Sequence, residues 1–333
     1  MNLEVGILGG GSWGTTVAAL VARNTSVTLW ARDPATADEI NNQHTNKKYL
    51  PEAELPERLV STAAIEEAVA GKDVIVMGIP SQGFRGVLEQ VKEHIRPWVP
   101  VVSLSKGLEL DTQMRMTEII EDVLPGHPAG VLTGPNLARE IMAGHAAASV
   151  IAMADEIIVK ELQKTFNSGL FRVYTNHDVI GCELGGVLKN IIAIAAGMGD
   201  GQGAGENTRA SVITRGLAEI TRLGVAMGGE PQTFAGLTGM GDLIATCTSA
   251  QSRNRTVGFE LGKGRSIQEI TDEMYMVAEG VKSAPTVMAL ANQYGIEMPI
   301  AAEVHEVVTE KRDAKRAFRG LLKTSAGAES DPG

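Results

Sequence analysis

Lys189 lies in the middle of a segment, residues 181–201, whose apolar side chains cover every face of a helix. A helix that is apolar all round is buried, so the pattern predicts a core helix that carries one cation. The residues one turn away have no charge to offer it, and Gly185 and Gly186 predict open space, a cleft, beside the ammonium group. A partly desolvated lysine has a lowered pKa and can serve as an acid or a base near neutral pH. The competing interpretation is a lysine whose long stem reaches the surface.

Two polar motifs follow in the second half of the chain. Asp242 closes the glycine-rich stretch 236–241, where an aspartate either caps a loop or pairs with a buried lysine. Further on, residues 252–255 read S-R-N-R and are predicted to form a loop rich in hydrogen-bond donors. Such donors suit a phosphate monoester, because guanidinium groups match its geometry. A solvated surface loop is the alternative.

The N-terminal part of the chain contains a glycine-rich turn between a strand-like run and a helical run. Residues 5–8 are apolar, Gly9, Gly11 and Gly14 follow with G-x-G-x-x-G spacing, and 15–23 have helical periodicity. The first glycine permits the tight bend, the second lets the backbone approach a pyrophosphate, and the third lets helix and strand pack. Free N–H groups at the helix N-terminus bind the phosphates. This context predicts a dinucleotide-binding site.

The end of the next strand-like run, 27–31, indicates which dinucleotide is bound. NAD-specific sites place an acidic residue there to bind the ribose hydroxyls, but this chain has Arg32, with Asp33 one residue later. An arginine at this place suits the 2′-phosphate of NADP. We therefore expect a preference for NADP, or use of both nucleotides with Asp33 assisting NAD. A surface arginine that contacts no ligand is the other interpretation.

Strand-like runs recur up to about residue 180 and alternate with helical stretches. They cover residues 73–79, 99–104, 130–133, 147–153 and 171–174. The alternation predicts an α/β fold with a doubly wound, mostly parallel sheet. Because the strand signal then stops, we predict a Rossmann domain over 1–179, a helical domain over 180–323 and a disordered tail over 324–333.

Two of the predicted strands end in residues suited to ligand binding. Lys106 follows the run 99–104, and Asn136 follows Gly134 after the run 130–133. Ligands of open α/β sheets bind at the carboxyl ends of the strands, so both positions are candidate contacts. The alternatives are a solvated loop lysine and an asparagine that caps the following helix.

Composition limits the classes of partner. The net charge of −10 argues against nucleic acid, and two cysteines are too few for a disulfide framework or a zinc site. We expect Cys182 and Cys247 to be inert core thiols, no metal ion to be bound, and no segment to span a membrane. The N-terminal residues lack the basic start of a signal peptide, which predicts a reducing, cytoplasmic setting.

Several short motifs, in this order, are shared with one family. They are the glycine turn with Ser12 and Trp13, S-K-G-L at 105–108, G-P-N at 134–136, L-K-N at 188–190, G-x-G-D at 239–242 and S-R-N-R at 252–255. Over about residues 3–310 the chain resembles the bacterial NAD(P)-dependent sn-glycerol-3-phosphate dehydrogenases. The resemblance implies reversible hydride transfer between NAD(P)H and dihydroxyacetone phosphate, giving sn-glycerol 3-phosphate for phospholipid synthesis. It also implies a helical second domain of the 6-phosphogluconate dehydrogenase-like type and a homodimer.

The resemblance further implies roles for individual residues. Lys189 is expected to accept the proton in the oxidation direction. The nucleotide is expected to contact Ser12, Trp13, Arg32, Lys106, Ala138, Arg253, Val277 and Glu279. The substrate is expected to contact Lys106, Gly134, Asn136, Lys189, Asp242, Ser252, Arg253 and Asn254. Many family members have Ser or Thr where this chain has Asn136, so an amide takes the place of a hydroxyl at this contact.

Two other classes of protein share parts of this pattern. A relative of the β-hydroxyacid or 6-phosphogluconate dehydrogenases would also carry a lysine on the interdomain helix, but S-R-N-R and Asp242 favour a small phosphorylated substrate. A catalytically silent NAD(P)-binding regulator would be expected to lack the buried lysine, and Lys189 is present. Turnover with dihydroxyacetone phosphate distinguishes these possibilities.

Overall fold

A computed structural model describes residues 3–274 and 278–323 of the chain. Val277 and the tail 324–333 lie outside the described residues. The chain divides into two compact units, one formed by Met1–Glu109 with Met114–Val179 and the other by Leu110–Gln113 with Ile180–Gly333. Each unit is described separately.

The first unit is built on an eight-stranded sheet in the order β3-β2-β1-β4-β5-β6-β7-β8. Its strands are β1 (Glu4–Leu8), β2 (Ser26–Trp30), β3 (Val60–Thr62), β4 (Val74–Met77), β5 (Val101–Ser103), β6 (Ala129–Thr133), β7 (Ala147–Met153) and β8 (Phe171–Asn176). Neighbouring strands are parallel except β6 and β7, which are antiparallel. The predicted α/β, mostly parallel sheet is confirmed, with β3 as an additional short edge strand.

Helices follow most of these strands and cover both faces of the sheet. They are α1 (Ser12–Val21), α2 (Pro34–Gln43), α3 (Ile65–Val69), α4 (Phe84–Val91), α5 (Met116–Val123), α6 (Ala138–Met142) and α7 (Glu156–Phe166), with 3₁₀ turns at Ser81–Gly83 and Lys92–His94. The alternation of side chains along a strand divides the core in two. In β4, Val74 and Val76 belong to one apolar core, whereas Ile75 and Met77 belong to the core on the opposite face.

The regular secondary structure of the second unit, over its described residues, is helical. Its helices are α8 (Val179–Gly201), α9 (Glu206–Ala226), α10 (Pro231–Phe234), α11 (Asp242–Thr248), α12 (Arg253–Gly262), α13 (Ile267–Glu273), α14 (Glu279–Tyr294), α15 (Pro299–Val308) and α16 (Ala314–Lys323). A π-helical turn, Leu237–Gly241, leads directly into α11. Turns of this kind are rare and occur frequently at functional sites.

The central helix α8 is long and apolar enough to cross a membrane by length and composition, yet 89% of its most apolar window is buried inside the structure. It is therefore a core helix, as its all-round apolar pattern predicts.

Glycines let α12 approach α8 at backbone distance. A Cβ atom added at Gly197 would lie 2.1 Å from the carbonyl oxygen of Arg255, and one added at Gly258 would lie 2.0 Å from that of Ile194. Side chains larger than hydrogen would force the two helices apart. This close packing fixes the N-terminal turn of α12 relative to the helix that carries Lys189.

Candidate functional site

The glycine turn of the first unit has the geometry of a phosphate-binding loop. Gly9 adopts a φ of +121°, and its N–H donates to the Trp30 carbonyl at 3.1 Å. A Cβ at Gly14 would lie 2.0 Å from the Gly9 carbonyl oxygen, whereas no atom lies within 4 Å of a Cβ at Gly11. The turn therefore packs tightly on the protein side and leaves open space at Gly11. It sits between β1 and β4, where the strand order reverses and open α/β sheets bind their ligands.

The first residues of α1 offer backbone rather than side-chain groups to a ligand. Gly11 is the N-cap and supplies no side-chain hydrogen bond, so N–H groups of the first turn, which includes Ser12 and Trp13, remain for an anion. The indole of Trp13 packs edge-to-face against Phe171, with ring centroids 6.2 Å apart. Its Nε1 atom is buried without a hydrogen-bond partner in the described structure. The Trp13 side chain thus anchors α1 to β8.

Arg32 and Asp33 have different environments at the end of β2. Arg32 is exposed. The Asp33 carboxylate caps α2, accepting the N–H of Ala35 at 3.1 Å and the hydroxyl of Thr36 at 3.3 Å. The arginine therefore extends into solvent, while the aspartate stabilises a helix N-terminus.

Lys106 and Asn136 lie at the carboxyl ends of β5 and β6 as predicted. The Lys106 ammonium donates to the Gly134 carbonyl at 2.8 Å. The Asn136 amide donates to the Ser149 hydroxyl at 3.0 Å, and that hydroxyl donates to the Thr133 carbonyl at 2.9 Å. Because Ser149 has one proton and gives it to Thr133, Asn136 must present its NH₂ group to Ser149. The Asn136 Oδ1 atom is left buried without a partner among the described residues.

The interpretation of Asn136 as a helix cap is wrong. Helix α6 begins at Ala138, and its N-cap is Leu137, which has no side-chain hydrogen bond to offer. The Asn136 side chain is directed to Ser149 on β7 instead. The Asn136 amide forms its hydrogen bond with the Ser149 hydroxyl and not with the N-terminus of α6, because buried polar groups need partners.

In the second unit Lys189 forms a buried cluster with Asp242 and Thr246. The ammonium donates to the Asp242 carboxylate and to the Thr246 hydroxyl, the latter at 2.5 Å, and Lys189 is only 5% exposed. The Thr246 hydroxyl donates to the Asp242 backbone carbonyl at 2.6 Å, so its lone pair faces the ammonium. The interpretation of a lysine that reaches the surface is wrong, and the pairing of Asp242 with a buried lysine is confirmed.

The open space expected beside Gly185 is absent. A Cβ at Gly185 would lie 2.6 Å from the carbonyl oxygen of Thr238, so the π-helical turn occupies this space. The glycine serves close packing rather than a cleft. That packing is what brings Asp242, the residue after the turn, against Lys189.

The predicted S-R-N-R loop is instead the start of a helix. Ser252 is the N-cap of α12, and its hydroxyl accepts the N–H of Arg255 at 3.2 Å. Asn254 is buried; its amide donates to the Asn190 side chain at 2.9 Å and its carbonyl accepts the N–H of Gly280 at 3.0 Å. Arg253, the first helical residue, is exposed. Ser252, which is predicted to lie in a loop, is therefore a helix-capping residue.

The two arginines of this motif therefore differ. The Arg255 guanidinium forms an ion pair with Asp200 at 2.7 Å, so it is directed into the unit. Arg253 is exposed as a residue, but desolvation lowers the pKa of its guanidinium. Glu279 begins α14 and interacts electrostatically with Arg253. Thr246, Asn190 and Asp200 were not predicted as part of the site. Of these, the Asp242–Thr246 spacing of four residues is the one signal that could have indicated a shared helix face.

Both cysteines are buried, and burial raises the pKa of the Cys247 thiol to about 12. The expectation of inert core thiols is thereby supported for Cys247, because the thiolate is the reactive form. No cluster of three or more metal-ligating side chains occurs among the described residues.

Comparison with known proteins identifies the relatives of this chain. Family models of the N-terminus and the C-terminus of NAD-dependent glycerol-3-phosphate dehydrogenase match residues 4–159 and 178–319. A glycerol-3-phosphate dehydrogenase (NAD(P)+) of Sphingopyxis alaskensis is 70% identical over 333 residues, covering 100% of both chains. One of Mycobacterium avium is 54% identical over 98% of this chain and 96% of its own length. The crystal structure of glycerol-3-phosphate dehydrogenase from Coxiella burnetii matches with a TM-score of 0.92 and 37% identity, covering 97% of this chain and 99% of that chain.

Proposed function

This chain belongs to the NAD-dependent glycerol-3-phosphate dehydrogenase family, and from that premise we propose that it reversibly reduces dihydroxyacetone phosphate to sn-glycerol 3-phosphate with NADPH or NADH. The observation that carries the proposal is the buried ammonium of Lys189, paired with Asp242 and Thr246. Reduction of a ketone requires a hydride and a proton. A lysine held in this way is a positioned source of the proton.

The glycine turn fits a dinucleotide. The open space at Gly11 would be filled by any Cβ, and the N-terminus of α1 carries no side-chain cap that would compete with a phosphate. We assign the backbone of Gly11, Ser12 and Trp13 to the pyrophosphate, and Gly9 and Gly14 to the shape of the turn that binds the cofactor. When bound, a reduced nicotinamide supplies the hydride.

The remaining nucleotide contacts are assigned from the family pattern. Arg32 is assigned to the 2′-phosphate of NADP, because it is exposed at the end of β2 while Asp33 is engaged in capping α2. The other assigned residues are Lys106, Ala138, Arg253, Val277 and Glu279. We accordingly propose a preference for NADPH over NADH.

Lys189 gives its proton to the developing alkoxide during reduction and takes it back from the alcohol during oxidation. Asp242 favours the charged ammonium, and Thr246 holds it in a fixed direction. A proton donor that is positioned in this way typically contributes roughly 10²–10⁴-fold to the rate. Asp242 therefore serves as the ionic partner of Lys189 in the resting enzyme.

The substrate contacts are assigned from the family pattern. The assigned residues are Lys106, Gly134, Asn136, Lys189, Asp242, Ser252, Arg253 and Asn254. Arg253 is the assigned phosphate ligand because it is the first residue of α12, and a helix N-terminus favours anions. Asn254 mainly holds α12 against α8, since its amide and its carbonyl each have a protein partner.

We further propose that the product supplies glycerophospholipid synthesis and that the enzyme acts in the cytoplasm as a homodimer. These assignments rest on the family pattern. Sedimentation that gives a mass of two 35.2 kDa chains supports the dimer, and a mass of one chain contradicts it.

The decisive experiment measures initial rates of NADPH and NADH oxidation, in parallel, with dihydroxyacetone phosphate. Turnover with either nucleotide supports the proposed reaction, and the ratio of the two catalytic efficiencies tests the assignment of Arg32. A folded protein that binds NADPH but turns over neither pair would contradict the proposed substrate.

A further inference from the structure

Asp200, near the end of α8, links three helices through one carboxylate. Its Oδ2 atom accepts from Arg255 on α12, from Nε at 2.8 Å and from Nη2 at 2.7 Å. Its Oδ1 atom accepts from Arg209 on α9, from Nε at 2.9 Å and from Nη2 at 2.7 Å. The Asp200 side chain is 5% exposed, so this double pairing is largely shielded from water. Each arginine thus places two N–H donors on one carboxylate oxygen, and charge-assisted hydrogen bonds of this kind are about twice as strong as neutral ones.

Arg255 connects the Asp200 carboxylate to the first turn of α12, because its own backbone belongs to that turn. Its backbone N–H donates to the capping hydroxyl of Ser252, and its carbonyl lies against Gly197 of α8. Ser252, Arg253 and Asn254, three assigned substrate ligands, lie within the same turn. Moving Arg255 therefore moves all three.

The guanidinium of Arg255 is thus directed to Asp200 rather than being a second phosphate ligand beside Arg253. We propose that Asp200 is a positioning residue for the substrate: through Arg255 it sets the position of the first turn of α12, and thereby of Arg253, relative to Lys189. The inference rests on the proposed reaction and names a residue outside its assigned ligands. It predicts that loss of Asp200 weakens substrate binding more than the chemical step, because Lys189, Asp242 and Thr246 do not contact it in the described interactions.

The test compares Asp200→Asn and Arg255→Lys with Arg209→Gln as the matched control. Asn keeps the shape but loses the charge, and Lys keeps the charge but cannot reproduce the planar pair of N–H donors. We expect Asp200→Asn and Arg255→Lys each to raise the KM for dihydroxyacetone phosphate by about 10-fold to about 100-fold, with a smaller change in kcat. The double variant should resemble either single variant, because both remove the same contact. Arg209→Gln, which leaves the Arg255 contact intact, should have a KM close to that of the wild type.

A wild-type KM in Asp200→Asn would overturn the inference while leaving the proposed reaction intact, since the unmodified enzyme is assayed alongside. Equal KM increases in Arg209→Gln and Asp200→Asn, with parallel losses in thermal stability, would reduce Asp200 to a structural role. If Asp200→Asn does not fold, Arg255→Lys and Arg209→Gln give the same comparison. Failure of the wild type to reduce dihydroxyacetone phosphate would instead refute the proposed function.

Discussion

At Lys189 a single buried ammonium is held by a carboxylate and a hydroxyl. If it supplies the proton, Lys189→Ala should lower kcat by roughly 10²–10⁴-fold, the usual contribution of positioned acid–base catalysis. NADPH binding, measured by fluorescence titration, should persist. Lys282→Ala removes an exposed lysine of α14 and should retain full turnover. Near-normal turnover by Lys189→Ala would remove this residue from the proton-transfer role.

Arg32 is the residue that should distinguish the two nucleotides. Loss of a charge-assisted contact to a phosphate corresponds to roughly 10-fold to 100-fold in binding. We therefore expect Arg32→Gln to lower kcat/KM for NADPH by that factor and to leave kcat/KM for NADH nearly unchanged. Arg23→Gln is the matched control, because Arg23 is also exposed but follows the C-terminal end of α1. An equal loss with both nucleotides would show that Arg32 does not bind the 2′-phosphate.

In the glycine turn, one substitution can test nucleotide binding without changing the stability of the fold. Gly11 has φ −75°, which alanine also adopts, and a Cβ there would meet no protein atom within 4 Å. Gly11→Ala should therefore keep the wild-type thermal midpoint. It should nevertheless raise the Kd for NADPH by at least about tenfold, because the added methyl occupies the space through which the backbone approaches a pyrophosphate.

The control for that variant is Gly86→Ala on α4, where a Cβ also meets no atom within 4 Å. It should leave the NADPH affinity unchanged and should not lower the thermal midpoint, because alanine favours a helix more than glycine does. Wild-type affinity in Gly11→Ala would place the dinucleotide elsewhere.

The elements show how far the sequence can be interpreted and where it fails. The strand β7 is predicted at its observed ends because Ala147–Met153 lies in a long, mostly apolar run between His145 and Asp155. In contrast, β3 spans only Val60–Thr62 and gives too little pattern to detect. The start of α12 is missed because Ser252 and the following charged residues resemble a loop, although a serine before a helix is also a capping signal.

At the scale of the whole molecule, contacts between distant segments are what the sequence does not contain. Asp242 is 53 residues from Lys189, and Asp200 is 55 residues from Arg255. The sequence shows that Asp242 and Lys189 have opposite charges and could form an ion pair. Only the packing of α8 against the π-helical turn brings the two side chains together. The sequence therefore predicts which residues carry functional groups. It does not predict which of them pair, because pairing depends on close backbone packing at positions such as Gly185 and Gly197.

Glu219 connects α9 to the N-terminus of α15 in the same long-range manner. Its carboxylate accepts the N–H groups of Ile300 at 2.7 Å and Ala301 at 3.1 Å, and the residue is 1% exposed. Burial raises the pKa of Glu219 to about 7, although these two hydrogen bonds and the charges of Arg222 and Arg215 act to lower it. The global stability of the protein should consequently depend on pH.

Between the unperturbed pKa of 4.5 and the native value of about 7, folded Glu219 retains a proton that the unfolded chain has released. The free energy of unfolding should therefore fall as the pH rises through this window, and the contribution should be constant above it. Glu219→Gln cannot titrate, so the wild-type stability relative to this variant should decrease by about 3 kcal/mol between pH 4.5 and pH 7.5, measured from urea unfolding. Glu297→Gln, which replaces an exposed glutamate just before α15, should follow the wild-type pH profile. Parallel pH profiles for the wild type and Glu219→Gln would show that the buried carboxyl does not titrate in this window.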